Sequence, residues 1–242
     1  PGMPLLDTCI TNSKLVIPNV STANTGVYTV TVTDHSTTPA CTSSASITVT
    51  VNPAPPITFQ ADTVRICSGQ TGILRVNEPG YVNYQWTPTT FLNPSTGIGQ
   101  VVTVIPGTVT AALILHYKVT VTNGLTCTNI DSAVVIVNPL PVLAIAPPNT
   151  ACSGVALTLT ETNNQPGTGM WMSNPPGPVF NTPTSNPTMF TGTQGTYSVK
   201  YVFTDTNGCI DSAFASVCVQ PQPVAQFNIS QSNGCISAAS PA

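Results

Sequence analysis

Residues 117–139 read YKVTVTNGLTCTNIDSAVVIVNP, two segments of alternating apolar and polar residues on either side of an Asn-Gly pair. In the first segment Tyr117, Val119 and Val121 alternate with polar residues. Alternation with a period of two is typical of a strand that has one face on a core and one face in water. An Asn-Gly pair favours a tight hairpin. The stretch therefore predicts two antiparallel strands joined by a short turn.

The same pattern occurs at two other places, as YTVTVTD at 28–34 and YSVKYVFTD at 197–205. In the first of these, Tyr28, Val30 and Val32 are expected to face a core. Other landmarks recur at nearly constant spacing. These are the Cys-Ser-Gly signatures at 67–69 and 152–154, the tryptophans Trp86 and Trp171, and the cysteines Cys41, Cys127 and Cys209, each followed by an alternating segment that ends in proline. A period near 83 residues indicates tandem domains.

Short strands with frequent Gly, Pro and Asn turns predict an all-β fold of tandem immunoglobulin-like antiparallel β-sandwich repeats in a rod-like array. Proline-rich linkers suggest the boundaries: a partial repeat at 1–53, repeats at 54–139 and 140–223, and the start of a further repeat at 224–242. The sequence is therefore read as a processed piece or an excerpt of a longer protein. Predicted core aromatic residues are Trp86, Trp171, Tyr28, Tyr117 and Tyr197, and a tyrosine corner is expected at Tyr28 and Tyr197.

Composition excludes several classes of function. Charged residues make up 5% of the chain, whereas soluble proteins carry roughly 25%. No basic stripe could neutralise phosphates, so nucleic-acid binding is not expected. No apolar run approaches the ~20 residues that a membrane span needs. A surface with so little charge repels its neighbours weakly, and we expect glycans or other chains to cover it.

The cysteines are expected to form disulfides in an oxidising, extracellular location. There are no CxxC pairs, and His35 and His116 are far from any cysteine cluster, so a zinc site is not expected. The candidates are Cys9, Cys41, Cys67, Cys127, Cys152, Cys209, Cys218 and Cys235.

Two pairing schemes are open. In the first, bridges form within repeats, as Cys67–Cys127, Cys152–Cys209 and Cys9–Cys41. In the second, some bridges cross between repeats, for example Cys67–Cys209. The second scheme follows because Cys67 and Cys152 precede the second strand whereas Cys127 and Cys209 follow the sixth, and these places lie at opposite ends of an immunoglobulin-like sandwich. Cys218 and Cys235 remain as a pair, or they bond to partners beyond this excerpt.

No arrangement of residues indicates catalysis. The eight acidic residues form no local cluster. His35 is expected in a hairpin loop beside Asp34, and His116 at an outward strand position, so neither is expected to be catalytic. Only Asp205 and Asp211 lie near each other, too few oxygen ligands for calcium. We therefore expect no enzyme activity, no cofactor and no metal.

The repeats resemble the Ig-like and PKD-like repeats of large Bacteroidota cell-surface proteins, which include gliding-motility adhesins of the SprB kind and are exported by type IX secretion. The resemblance rests on Cys-Ser-Gly, Tyr-x-Val-x-Val-Thr, Asn-Gly-Cys and the closing Val-Asn-Pro. It implies O-glycosylation at Asp-Ser/Thr followed by a small or aliphatic residue, with Thr63, Ser132 and Ser212 as the candidates. For each of these an alternative is that the tripeptide only opens a strand.

Three functions are compatible with these patterns. The first is a structural repeat segment of an extracellular cell-surface adhesin or filament, which acts as a spacer or assembly module. The second is a filament subunit in which residues 224–242 of one copy complete residues 1–53 of the next by strand addition. The third is a non-catalytic carbohydrate-binding module of a secreted enzyme, with Trp86 and Trp171 among its aromatic residues. Expected partners are other copies or neighbouring repeats of the same chain, and surface glycans.

Overall fold

A computed structural model describes residues 14–36, 38–146 and 150–226. Apart from one 3-10 turn at Thr22–Asn24, the elements of the described residues are strands. The strands are β1 (Gly26–Asp34), β2 (Cys41–Val49), β3 (Thr63–Cys67), β4 (Gly72–Arg75), β5 (Asn83–Thr87), β6 (Leu92–Asn93), β7 (Val101–Val104), β8 (Leu113–Thr122), β9 (Thr128–Asn138), β10 (Leu143–Ala146), β11 (Thr150–Cys152), β12 (Leu157–Asn163), β13 (Gly167–Asn174), β14 (Val179–Phe180), β15 (Thr188–Thr191), β16 (Gly195–Asp205) and β17 (Ile210–Gln220). The predicted all-β, immunoglobulin-like class is confirmed.

The chain divides into two compact units. One takes the residues up to Arg65 together with Gln70–Pro106 and Ile114–Ile136, and the other takes Ile66–Gly69, Gly107–Leu113 and the residues from Val137 onward. The predicted domain boundaries differ from this division and stay a prediction.

Residues 63–138 form a four-stranded sheet in the order β3-β9-β8-β5 and a three-stranded sheet in the order β4-β7-β6. These seven strands bury apolar residues on alternate positions, as the period-two pattern requires. Trp86 on β5 is 0% exposed, and its Nε1 donates to the Gly99 carbonyl at 3.0 Å. The Phe59 ring lies 5.8 Å from the Trp86 ring. Tyr117 is also buried, and its hydroxyl donates to the Thr90 carbonyl.

Strands β1 and β2 form a separate two-stranded antiparallel sheet, with Gly26 opposite Val49. The prediction that Val30 and Val32 face a core is wrong, because these side chains are 61% and 65% exposed. The strand alternation itself is present. What is missing is a facing layer, since no other sheet covers these two strands among the described residues of 14–53.

The second unit contains two four-stranded sheets in the orders β10-β12-β15-β14 and β11-β17-β16-β13. The pairing of β11 with β17 is parallel, and the other pairings in these sheets are antiparallel. One cluster joins the two sheets: Leu157, Leu159, Trp171, Phe190, Tyr197, Val199, Tyr201, Phe203, Val217 and Val219. The unit is thus a β-sandwich with one core. Trp171 Nε1 donates to the Ser185 carbonyl at 3.1 Å, which repeats the arrangement of Trp86.

Tyr28 and Tyr197 occupy equivalent places at the start of a long strand. The Tyr28 hydroxyl donates to the Asn24 carbonyl at 2.8 Å, and the Tyr197 hydroxyl donates to the Thr193 carbonyl at 3.0 Å. Each bond reaches back four residues, which is the geometry of a tyrosine corner. The predicted corners are therefore confirmed at both positions, although Tyr28 is only half-buried.

Candidate functional site: a disulfide between sequence repeats

Cys67 and Cys209 form a disulfide, with Cα atoms 5.5 Å apart and 142 residues between them in sequence. Cys67 ends β3, and Cys209 directly precedes β17. Both cysteines belong to the second compact unit. In terms of the repeats predicted from the sequence, the bond joins a residue of 54–139 to a residue of 140–223. It is shielded from water, because Cys67 is 8% and Cys209 is 0% exposed.

The Cys-Ser-Gly signature holds the Cys67 side of the bond. The Ser68 amide donates to the Asn138 carbonyl at 2.7 Å, and the Gly69 amide donates to the Gly107 carbonyl at 2.9 Å. Gly69 has φ +80°, a conformation that glycine adopts without steric cost. The Ser68 hydroxyl oxygen accepts a bond from the Val109 amide. The three residues thus fix the direction in which Cys67 leaves β3.

An Asx-type turn holds the Cys209 side. The buried carboxylate of Asp205 accepts bonds from the amides of Asn207 and Cys209, both at 2.8 Å through Oδ1. The Cys209 carbonyl accepts a bond from the Asp205 amide at 2.9 Å. The sequence analysis considered only an Asn-Gly pair as a hairpin signal and did not identify Asp205 as the acceptor that holds this turn. An Asx residue four positions before the cysteine was the signal that could have revealed it.

The within-repeat pairings Cys67–Cys127 and Cys152–Cys209 are wrong, and the cross-repeat alternative Cys67–Cys209 is the one that forms. The reason lies in strand length. The Ser153 amide donates to the Gln220 carbonyl, so Cys152 lies at the far end of β17 from Cys209. An eleven-residue strand spans about 33 Å, and a disulfide needs Cα atoms within about 7 Å. Strand β9 has the same length.

Among the described residues, the structure does not bring Cys127, Cys152 and Cys218 together as disulfides. Cys127 and Cys152 carry free thiols, with Cys152 exposed and Cys127 half-buried. Cys218 is also a free thiol, and its Sγ lies 3.1 Å from the Gln220 side-chain nitrogen. Cys41 is exposed. Cys9 and Cys235 lie outside the described residues, as does most of the predicted repeat start at 224–242.

A buried acid is the second unusual polar feature. Glu161 on β12 is 2% exposed, and its Oε1 has no hydrogen-bond partner. Oε2 accepts bonds from Asn163 Nδ2 at 3.1 Å and Asn186 Nδ2 at 3.3 Å. Burial raises the pKa of the Glu161 carboxyl, although the bond from Asn163 acts in the opposite direction. The sequence analysis did not single out this residue, because its position on an alternating strand gives no sign of its solvent exposure.

The three glycosylation candidates differ in access. Thr63 and Ser132 are exposed, and Ser212 is half-buried. The Asp131 carboxylate accepts a bond from the Ser132 amide at 2.7 Å, and Asp211 does the same for Ser212. The equivalent tripeptides therefore share one local conformation near the start of β9 and of β17.

Within the described ranges, no group of three His, Cys, Asp or Glu side chains could hold a metal ion. His116 is on an exposed strand position, and His35 is in the loop after β1. In the same part of the chain, no helix has the length and apolar character needed to cross a membrane.

No protein-family model and no curated protein matches this sequence. Solved structures with similarity include the fibronectin(III)-like modules of Clostridium thermocellum CbhA, at 10% identity and a TM-score of 0.39, covering 73% of this chain and 100% of that chain. A C-terminal fragment of intimin, solved in complex with the intimin-binding domain of the translocated intimin receptor, matches at 13% identity and a TM-score of 0.39 over 70% of this chain and 64% of the fragment. Human protocadherin-24 EC1-2 matches at 14% identity and a TM-score of 0.35, with coverage of 71% and 100%.

Proposed function

We propose that the chain is a structural segment of an extracellular cell-surface adhesin or filament, in which the repeats act as spacers and assembly modules and catalyse no reaction. The observation that carries the proposal is the buried Cys67–Cys209 bond, which joins residues of two predicted repeats. A covalent link between consecutive repeats resists separation under tension, which is a property that a load-bearing array needs. A structural disulfide also favours an oxidising location outside the cell.

Surface composition supports the same proposal. A chain with 5% charged residues and a net charge of −3 has little electrostatic repulsion to keep it apart from its neighbours. Packing against other repeats or a coat of glycans would cover such a surface. Thr63, Ser132 and Ser212 are the residues that would carry O-linked glycans, and a Bacteroidota surface protein would have the enzymes to add them. Intact-mass measurement of native protein, compared with Ser132→Ala, tests this modification.

Labelling of cells tests the proposed location and role. An antibody against residues 54–223 should bind intact cells that make the protein, and brief treatment of those cells with an external protease should remove the signal. Labelling that appears only after the cells are permeabilised would contradict the proposal.

One observation favours the second candidate, assembly of a filament by strand complementation. The β1–β2 sheet presents an apolar face of Tyr28, Val30, Val32, Ala45 and Ile47, with Val30, Val32 and Ile47 more than half exposed. Apolar strand surfaces of this kind usually acquire a cover. Residues 224–242 of another copy, whose sequence begins like a first strand, are the proposed cover.

A matched pair of variants tests this candidate. Val30→Lys places a charge on the apolar face and should abolish assembly, whereas Thr31→Lys places it on the opposite face and should not. Assembly is measured by light scattering and electron microscopy. Monomers of the unmodified chain at all concentrations would exclude strand complementation.

No observation favours the carbohydrate-binding alternative. The two tryptophans on which it depended, Trp86 and Trp171, are 0% and 2% exposed, so neither presents a ring face on which a sugar could stack.

A further inference from the structure

Cys127 and Cys152 are the repeat-equivalents of the two cysteines that form the observed bond. Cys152 follows Cys67 by 85 residues within the same Cys-Ser-Gly signature, and Cys127 precedes Cys209 by 82 residues within the equivalent hairpin turn. The thiols at Cys127 and Cys152 are free, while their equivalents are bonded to each other.

The backbone around Cys152 repeats the backbone around Cys67 bond for bond. The Ser153 amide donates to the Gln220 carbonyl at 2.8 Å, as Ser68 does to Asn138 at 2.7 Å. The Gly154 amide donates to the Gly192 carbonyl at 3.1 Å, as Gly69 does to Gly107 at 2.9 Å. Gly154 has φ +76° and Gly69 has φ +80°. Cys152 is therefore held in the conformation that, at Cys67, supports a disulfide.

The hairpin turn around Cys127 repeats the turn around Cys209. Asn123 Oδ1 accepts bonds from the Leu125 and Cys127 amides at 3.0 Å, in the way that Asp205 Oδ1 accepts from Asn207 and Cys209. The Asn123 amide donates to the Cys127 carbonyl at 3.0 Å, and Asp205 donates to Cys209 at 2.9 Å. Thr126 has φ +60° at the position where Gly208 has φ +83°.

Exposure is the respect in which the two pairs differ. The bonded cysteines are buried, but Cys152 is exposed and Cys127 is half-buried. A cysteine that awaits a disulfide partner would have an accessible thiol and a backbone that is already in the bonded conformation. Cys127 and Cys152 have both properties.

We propose that Cys127 and Cys152 are the two open halves of further inter-repeat disulfides. Cys152 accepts a hairpin-turn cysteine of the Cys127 or Cys209 type, and Cys127 accepts a cysteine from a Cys-Ser-Gly signature. The partner is an immunoglobulin-like repeat of this same kind, either in a second copy or in an adjoining repeat of the same polypeptide. This inference rests on the proposed structural function and specifies how its repeats are joined.

The chemistry is thiol–disulfide exchange and requires a disulfide oxidant, such as oxidised glutathione. The Cys152 thiolate attacks one sulfur of the oxidant and releases one reduced glutathione. The Cys127-type thiolate of the partner then attacks the Cys152 sulfur and releases the second. One protein disulfide forms and two electrons pass to the oxidant. The two protons that the cysteine thiols lose are taken up by the two glutathione thiolates.

Mixing two variants of the full chain tests the pairing rule. One carries Cys127→Ser with Cys218→Ser and keeps Cys152, and the other carries Cys152→Ser with Cys218→Ser and keeps Cys127. In a glutathione redox buffer the mixture should give a reducible dimer that neither variant gives alone. Cleavage at Asp131, which lies between the two cysteines, allows mass spectrometry to identify a Cys152–Cys127 link. The Cys218→Ser single variant should crosslink like the unmodified chain.

Symmetric Cys152–Cys152 or Cys127–Cys127 dimers in similar amount, or no crosslink at all, would overturn the inference. Peptide mapping of native protein distinguishes the sources of the partner. A link to a peptide of this sequence indicates a second copy, and a link to a different Cys-Ser-Gly or hairpin peptide indicates an adjoining repeat. Native protein in which both cysteines react with an alkylating reagent before reduction would also overturn it, while surface labelling would still test the proposed function separately.

Discussion

At the scale of single residues, Glu161 shows how burial without a charged partner changes an acid. Its Oε2 accepts hydrogen bonds from two side-chain amides, and its Oε1 has no hydrogen-bond partner. Burial raises the pKa of Glu161, so the folded protein holds the proton more tightly than the unfolded chain does. The stabilising contribution is therefore complete below the unfolded value near 4.5 and is lost as pH rises through the higher folded pKa.

We expect Glu161→Gln to stabilise the second unit at neutral pH by roughly 1 kcal/mol, because it removes a buried charge and keeps an oxygen for Asn163 and Asn186. Urea unfolding at pH 4 and at pH 7 measures the effect. The variant and the unmodified chain should be similar at pH 4 and diverge as pH increases.

Glu78 is the matched control because its pKa shifts in the opposite direction. Bonds from the Thr58 hydroxyl and amide lower the pKa of Glu78. Its contribution is present above the unfolded value and is lost as pH falls. Glu78→Gln should therefore lower stability at pH 7 and have no effect in acid. Equal pH profiles for the two variants would contradict the account.

At the scale of elements, the alternation of apolar and polar residues predicts the strands, but it does not predict how the turns between them are held. Tyr197, Val199 and Phe203 are buried as their alternation predicts, and so are Val119 and Val121. The turns are governed by side-chain acceptors. Asn123 and Asp205 play the same role with different chemistry, whereas the Asn-Gly pairs occupy different positions in the two turns.

The alternation of apolar and polar residues could not predict which strands are covered by a second sheet, nor which cysteines form a disulfide. The pattern at Val30 and Val32 is the same as in the buried strands, yet no second layer covers them among the described residues. The Cys67–Cys209 bond was one of two open schemes, because spacing in sequence does not say which ends of two strands meet. The pairing is decided by two backbone hydrogen bonds. The Ser68 amide bonds to the end of β9 and the Ser153 amide bonds to the end of β17, which fixes the strand ends near which Cys67 and Cys152 lie.

Asp205 gives a prediction at this scale. Asp205→Ala removes the acceptor for the Asn207 and Cys209 amides, and we expect a loss of about 2 kcal/mol in the free energy of unfolding. Asp205→Asn keeps an acceptor, as Asn123 does in the equivalent turn, and should cost much less. Chemical denaturation of the oxidised protein measures both. Equal losses in the two variants would show that the acceptor is not what matters.

At the scale of the whole molecule, the Cys67–Cys209 bond controls how far the chain can be extended. The bond encloses 142 residues, which correspond to roughly 500 Å of extended chain. When the termini are pulled apart, this part of the chain cannot extend as long as the bond is intact.

We predict that single-molecule stretching in the presence of a reductant releases roughly 500 Å more contour length than stretching of the oxidised chain. The Cys67→Ser variant should release the full length without reductant, and Cys218→Ser should behave like the unmodified protein. Identical contour lengths in oxidised and reduced protein would mean that no such bond restrains the chain.

Tryptic mapping of the oxidised, alkylated chain without reduction is the most direct test of the central assignment. Trypsin separates Cys67 in the peptide 66–75, Cys127 and Cys152 in 119–200, and Cys209 in 201–242. The account predicts that peptide 66–75 is linked to 201–242, with fragmentation locating the bond at Cys209. A link between 66–75 and 119–200 would contradict it, because Cys67 would then pair with Cys127 or Cys152 and not with Cys209.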